Sequence, residues 1–257
     1  MKTTVQIAVT IVLTTMFLAC NAAAQRTERG LSCDNNWSGW RKGEGHCEIK
    51  EQTLPATGGV IKVDGKRNGG VTVKGWDRNE ILVRAQVSAH ADTTDDARAL
   101  TNQVRIETGG ANIYADGPES RDNRWWAVSF EVFVPRQSNL TLKAYNGGIS
   151  IDSVRGTMEF DTNNGGVSLR DVNGNVKGRT RNGGLSVKLS GNRWEGEGLD
   201  VQTTNGGVQL AIPENYSAHL ETGTVNGGVI SAFLSRYKAK LKRISPLILA
   251  AAARPFG

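Results

Sequence analysis

The chain has 257 residues, 22% of them charged, and a formal net charge of +6. The excess of cations is confined to residues 236–257, which hold Arg236, Lys238, Lys240, Lys242, Arg243 and Arg254 and no acid; residues 25–235 hold 24 basic against 25 acidic side chains. A body so nearly neutral lacks the broad basic face that neutralises phosphates, which argues against a nucleic-acid partner.

The first 24 residues carry one early cation, Lys2, then an apolar run from Val5 to Leu18 and the small residues Ala22, Ala23 and Ala24. That order predicts a secretory signal peptide cut after Ala24. The stretch Phe17-Leu18-Ala19-Cys20 also loosely matches a lipoprotein cleavage box, so a lipid anchor at Cys20 is the alternative. The apolar run is shorter than the ~20 residues needed to cross a bilayer, and no later run reaches that length, so no transmembrane span is expected. Cleavage leaves about 230 residues, enough for one β domain of good size or two smaller ones. The product would be exported: periplasmic, on the cell surface or secreted.

In the N-terminal segment 25–47, Cys33 and Cys47 stand fourteen residues apart. An isolated pair in an oxidising compartment predicts one disulfide, worth ~3 kcal/mol through loop closure. His46 beside Cys47 supplies too few ligands for zinc. Two tryptophan pairs, Trp37 with Trp40 and Trp125 with Trp126, are candidate ligand contacts, since exposed tryptophans stack on sugars or anchor protein partners. Their other reading is as bulky plugs covering an open sheet edge.

From residue 48 to 145 the pattern reads mostly as strands: Val60–Val63, Ile81–Val87, Val104–Ile106, Trp126–Val134 and Leu140–Leu142. One short helix is expected near 93–102, with Thr93 or Thr94 as its cap and Asp95 and Asp96 at the positive end of the dipole. Pro118–Arg124 is polar and reads as a loop.

Asn-Gly-Gly begins at Asn68, Asn146, Asn164, Asn182, Asn205 and Asn226, and the last five copies are spaced by 18, 18, 23 and 21 residues. Three places after each Asn stands an aliphatic residue: Val71, Ile149, Val167, Leu185, Val208 and Val229. Five copies add a second at plus five, namely Val73, Ile151, Leu169, Val187 and Leu210, with Thr72, Ser150, Ser168, Ser186 or Gln209 between. Period two with one apolar face predicts that each copy starts a strand. Thr162, Thr180, Thr203 and Thr224 precede their Asn by two residues and extend the pattern upstream. Asn-Gly tolerates positive φ, so each copy reads as a corner between short strands. Like residues at equivalent positions favour an all-β, right-handed β-solenoid-like stack over a β-meander or sandwich, because stacking sets Asn above Asn in hydrogen-bonded ladders. The repeat domain is predicted over 48–235, with the basic, then apolar, tail 236–257 outside it.

The chain resembles the adhesin-like, β-strand-repeat family of bacterial exported proteins of unknown function over residues 45–233. The resemblance rests on Gly69-Gly-Val-Thr-Val-Lys-Gly-Trp-Asp77, on Val132-Phe-Val-Pro135 leading into Leu140-Thr-Leu142, and on the Thr-x-Asn-Gly-Gly repeats. It implies a right-handed β-solenoid or related β fold at the cell surface or in the periplasm, and it carries over no catalytic residue. Family members continue with further strand repeats where this chain turns basic.

No catalytic residue, metal site or cofactor is predicted. His46, His90 and His219 fall in no ligand spacing, and no nucleophile elbow or phosphate loop is present. Six places after the repeat Asn stand Lys74, Asp152, Arg170, Lys188 and Ala211, a mixed set suited to mutual neutralisation rather than acid–base work. Glu159 and Asp161 could share a strand face as a solvated pair. The leading expectation is an exported, non-enzymatic binding or adhesion module whose partner is a surface polymer or an envelope protein. The alternatives are a polysaccharide-active enzyme with convergent carboxylates, and an envelope-stress or regulatory protein acting through a protein partner.

Overall fold

The computed structural model describes residues 30–33, 43–121, 123–221, 226–233 and 247–250. The leader with Cys20, and also Trp37, Trp40 and Thr224, lie outside the described residues. The first part of the fold is β1 (Glu44–Pro55), β2 (Val60–Asp64), β3 (Val71–Trp76), β4 (Glu80–Ala91), α1 (Thr94–Gln103), β5 (Arg105–Glu107), β6 (Asn112–Asp116) and β7 (Trp125–Pro135). The repeats then supply β8 (Asn139–Ala144), β9 (Ile149–Asp152), β10 (Arg155–Thr162), β11 (Val167–Arg170), β12 (Asn173–Asn182), β13 (Leu185–Lys188) and β14 (Gly198–Asn205). They end with β15 (Val208–Ile212), β16 (His219–Glu221) and β17 (Val229–Phe233), and β18 (Leu247–Ala250) follows.

These strands make two nine-stranded sheets. Sheet I runs β1-β4-β7-β3-β9-β11-β13-β15-β17, and sheet II runs β16-β18-β14-β12-β10-β8-β2-β6-β5. From β8 to β17 the chain alternates between the sheets, and within each sheet successive repeats pair in parallel: Ile149 with Val167, Val167 with Leu185, Leu185 with Val208, Val208 with Val229. A meander would pair them antiparallel. The N-terminal strands β1, β4 and β7 do pair antiparallel, and β3 joins their sheet to the parallel series.

The alternation read in the sequence is the reason one face is dry. The plus-three and plus-five aliphatics of sheet I meet Leu140, Leu142, Met158, Phe160, Val176, Leu199 and Val201 of sheet II in one core, all buried except Val229, which is half-buried against it. Each such side chain removed from water contributes about 1.5–3 kcal/mol. The segments that link the Asn-Gly-Gly strands are therefore strands themselves and form the facing sheet.

The helix is capped as expected: Thr93 is extended, and its Oγ1 accepts the Asp96 N–H at 3.1 Å. Ala97, Leu100 and Thr101 are its buried face, which packs on β1 and β4. Lys50 Nζ donates to the Thr101 and Val104 carbonyls at the helix C-terminus, where a cation complements the dipole.

The physical reason expected for the glycine corners is corrected. Among the described residues no Asn or Gly of the six copies has positive φ; the non-glycine residues that do are Lys66, Ala111, Ser153 and Asp171. What forbids a side chain at the first glycine is the neighbouring rung. A β-carbon on Gly147 would lie 2.0 Å from the Gly69 carbonyl oxygen, and one on Gly183 would lie 2.1 Å from that of Gly165. Of the tail, Leu247–Ala250 pairs antiparallel with both β14 and β16, so it joins sheet II without adding a parallel rung.

Candidate functional site

The six repeat asparagines form one ladder. Each Nδ2 donates to the Oδ1 of the rung before it, from Asn146 onto Asn68 at 3.0 Å, Asn164 onto Asn146 at 2.9 Å and Asn182 onto Asn164 at 2.8 Å, and then from Asn205 onto Asn182 at 2.8 Å and Asn226 onto Asn205 at 2.9 Å. The threonines two places upstream point inward. Thr162, Thr180 and Thr203 are buried, and their hydroxyls donate to the carbonyls of Gly147, Gly165 and Gly183 at 2.7–2.8 Å. The Thr-x-Asn-Gly-Gly pattern is thus a stacking unit in which both side chains bond across rungs.

Beside the ladder, the outer face of sheet I holds a shallow trough of about 790 Å³ that reaches from β7 to β17. Its floor is the second glycine of each copy, Gly70, Gly148, Gly166, Gly184, Gly207 and Gly228, and beside it runs the register column Thr72, Ser150, Ser168, Ser186 and Gln209. Parallel strands lie about 4.8 Å apart, so these polar groups repeat at that step. Leu31 stands at the β7 end and the exposed Ile230 at the β17 end, and among the described residues no charged side chain lines the trough.

Charges lie on other parts of the surface and neutralise one another. On sheet II, Lys143, Asp161 and Arg179 are in register, as are Glu159, Lys177 and Asp200, and Arg179 Nε reaches Asp161 Oδ2 at 2.5 Å. The plus-six column behaves likewise, with Arg170 on Asp152 at 3.2 Å and Lys74 on Glu131 at 3.0 Å. Glu159 and Asp161 share the outer face of β10 with a cation opposite each on β12.

Titration shifts follow the same pairs. The hydrogen bond and charge of Arg136 hold the exposed Asp77 carboxyl below its ordinary range, and Asp77 in turn raises Arg136. Arg84 is raised, first by its hydrogen bond with Glu51 and further by Glu131. Burial, with Glu195 and Asp171 nearby, pushes the Tyr216 hydroxyl up to about 12.

The remaining sequence candidates are dispersed. Cys33 and Cys47 are disulfide-bonded, with Cα atoms 5.6 Å apart. Trp125 stacks on His90 at 5.6 Å between ring centroids. Trp126 packs on the core and donates its indole N–H to the Pro118 carbonyl at 2.7 Å. Both lie at the start of β7, in the stretch Trp125–Ser129 that pairs with β4, while β3 joins β7 only from Phe130 onward. His46 is hydrogen-bonded to Thr101, 3.1 Å away, and His219 is on β16. Among the described residues no three His, Cys, Asp or Glu groups converge as a metal site, and no helix is long and apolar enough to cross a membrane.

Sequence reasoning missed Glu131, Arg84 and the second-glycine floor as surface features. The alternation of β7 placed Glu131 on an outer face, where exposure is the default expectation.

The sequence profile of the Toastrack DUF4097 family matches residues 101–249, from the last turn of α1 into β18. The chain belongs to this family. The Toastrack match takes in β5 to β17 and the trough from β7 onward, and it leaves β1–β4 before it. Two solved structures are similar to the chain. One is a candidate cell adhesion protein from Clostridium sporogenes, at 11% identity over 73% of this chain and 96% of that one, with a TM-score of 0.37. The other is a candidate lipid-binding protein from Parabacteroides distasonis, at 13% identity over 73% of this chain and 69% of that one, with a TM-score of 0.31. No curated protein matches the chain significantly.

Proposed function

We propose that this Toastrack chain is an exported, non-enzymatic binding module of the cell envelope, and that the trough on sheet I is its contact face. Residues 1–24 are its leader, and residues 48–235 form a repeat domain whose parallel rungs wind as a right-handed β-solenoid and stack through the asparagine ladder. The partner is a surface polymer or an extended segment of an envelope protein. The observation that carries the reading is the trough itself: an uncharged shelf of glycine backbone and small polar groups that continues across rungs. A surface that repeats along its length suits a ligand that also repeats, because each added unit meets the same groups. Glu159 and Asp161 lie in register with cations, an arrangement that supports solubility rather than acid–base chemistry.

The test is retention of the mature chain on immobilised envelope polysaccharides, with soluble oligomers as competitors. Ser168→Arg and Ser186→Arg project a long cation into the trough and should weaken retention by about tenfold or more, a loss of ~1.4 kcal/mol, with an unchanged melting temperature. Release of sugar or peptide fragments by the pure chain, abolished by Glu159→Gln, would instead establish an enzyme. Retention unaffected by both arginine variants would move the contact face elsewhere.

A further inference from the structure

Residues Gly30–Cys33 form a strap across the outer face of sheet I at its β4–β7 end. Beneath it Glu131 is only 3% exposed and is paired with Arg84 at 2.5 Å and Lys74 at 3.0 Å, while Arg84 Nε also reaches Glu51 at 2.7 Å. A carboxylate buried on the outward face of a sheet needs a cover, and the strap is part of it. A β-carbon on Gly30 would lie 3.2 Å from Arg84 Nη1 and 3.5 Å from Glu131 Oε2. The Gln86 side-chain amide donates to the Ser32 carbonyl, and Leu31 closes the β7 end of the trough. The covalent tie is the Cys33–Cys47 disulfide, which fastens the end of the strap to β1.

We propose that this disulfide is a latch, holding the strap over the Glu131 cluster while oxidised and, on reduction, releasing it so that the trough opens at its β7 end onto Glu131, Arg84 and Lys74. One amide-to-carbonyl bond exchanges with water at small net gain, and a half-buried leucine recovers only part of its transfer free energy. Cutting the covalent tie returns loop-closure entropy to the strap. Glu131 keeps both cations when uncovered, so opening rehydrates a paired cluster and strands no charge. Cys33 and Cys47 are half-buried, within reach of a small dithiol. One dithiol sulfur attacks the bond and forms a mixed disulfide, and its second sulfur resolves it. Cys33 and Cys47 leave as thiols, each gaining a proton, and the dithiol ends as its own disulfide.

The test is hydrogen exchange and lysine acylation, read by mass spectrometry on the mature chain with and without dithiothreitol, and on the Cys33→Ser/Cys47→Ser variant. Reduction should speed exchange at Leu31 and Ser32 and raise Lys74 acylation severalfold, with protection in β9–β15 unchanged, and the double variant should match the reduced chain. Strap exchange insensitive to reduction would overturn the latch. So would loss of protection throughout β9–β15, which would make the bond a staple of the whole fold, and so would a freed strap that leaves Lys74 unlabelled. The measurement needs no ligand, so it stands or falls separately from the binding reading.

Discussion

The carbonyl oxygen of Gly147 lies 2.1 Å from where a β-carbon on Gly165 would stand. One residue later the constraint relaxes: a β-carbon on Gly166 would be 3.4 Å from the Gly184 oxygen, over the open trough. Gly165→Ala should therefore destabilise by at least about 2 kcal/mol and Gly166→Ala by less than about 1 kcal/mol. Urea unfolding of the two variants decides it, and equal midpoints would refute steric stacking as the reason for the first glycine.

On sheet II the same economy of space appears between two side-by-side strands. A β-carbon on Gly178 would stand 2.2 Å from the Phe160 ring, which fills the inward place that Gly178 leaves empty. Gly178→Ala should cost about 1–3 kcal/mol through overpacking. Phe160→Leu should relieve part of that cost, so a double-mutant cycle is expected to show favourable coupling of at least about 0.5 kcal/mol. Strict additivity would show that the ring is not what the alanine meets.

Asn164 donates to Asn146 and accepts from Asn182, so Asn164→Asp retains an acceptor and loses a donor. The new carboxylate would face the Asn146 oxygen, which raises its folded-state pKa because only the protonated form can donate. A raised carboxyl contributes fully below its unfolded value and loses that contribution as pH rises through the folded one. The variant should accordingly be about 1 kcal/mol less stable than the wild type near neutrality, with the gap narrowing in acid. Melting temperatures compared across that range check it; a gap that widens on acidification would contradict the ladder's donor direction.

Trp126 is tied by its indole N–H to Pro118, and its ring lies 3.0 Å from where a Gly117 β-carbon would be. Trp126→Ala should lower stability by about 2–3 kcal/mol. Trp125→Ala removes a stack on His90 worth about 0.5–1.5 kcal/mol. If calorimetry shows Trp126→Ala melting like wild type while polymer retention falls, Trp126 is a contact and not a packing group.

The rungs were legible because their signal is local. Asn, Gly-Gly and the two aliphatics of each copy occupy consecutive places, and their recurrence predicts strands that stack in register, as Val71, Ile149, Val167, Leu185, Val208 and Val229 do. The capped helix was equally readable from Thr93 or Thr94 and two acids, and the structure makes Thr93 the cap. The linking segments showed less of themselves. Met158, Phe160 and Val176 carry an alternation interrupted by Gly178, and only the Phe160 ring, one rung away, explains the gap.

What local pattern could not contain is distance across the stack. The role of Gly165 was predicted from backbone freedom, yet its φ is ordinary and the constraint comes from Gly147, eighteen residues back. Glu131 sits at an outward place on its strand, and its burial depends on Gly30, Arg84 and Lys74 converging from three other segments. Periodicity determines which side of a strand is dry, because that depends on neighbours two residues away. Which carbonyl a glycine meets, and which charge a strap covers, depends on groups that only folding brings within van der Waals reach.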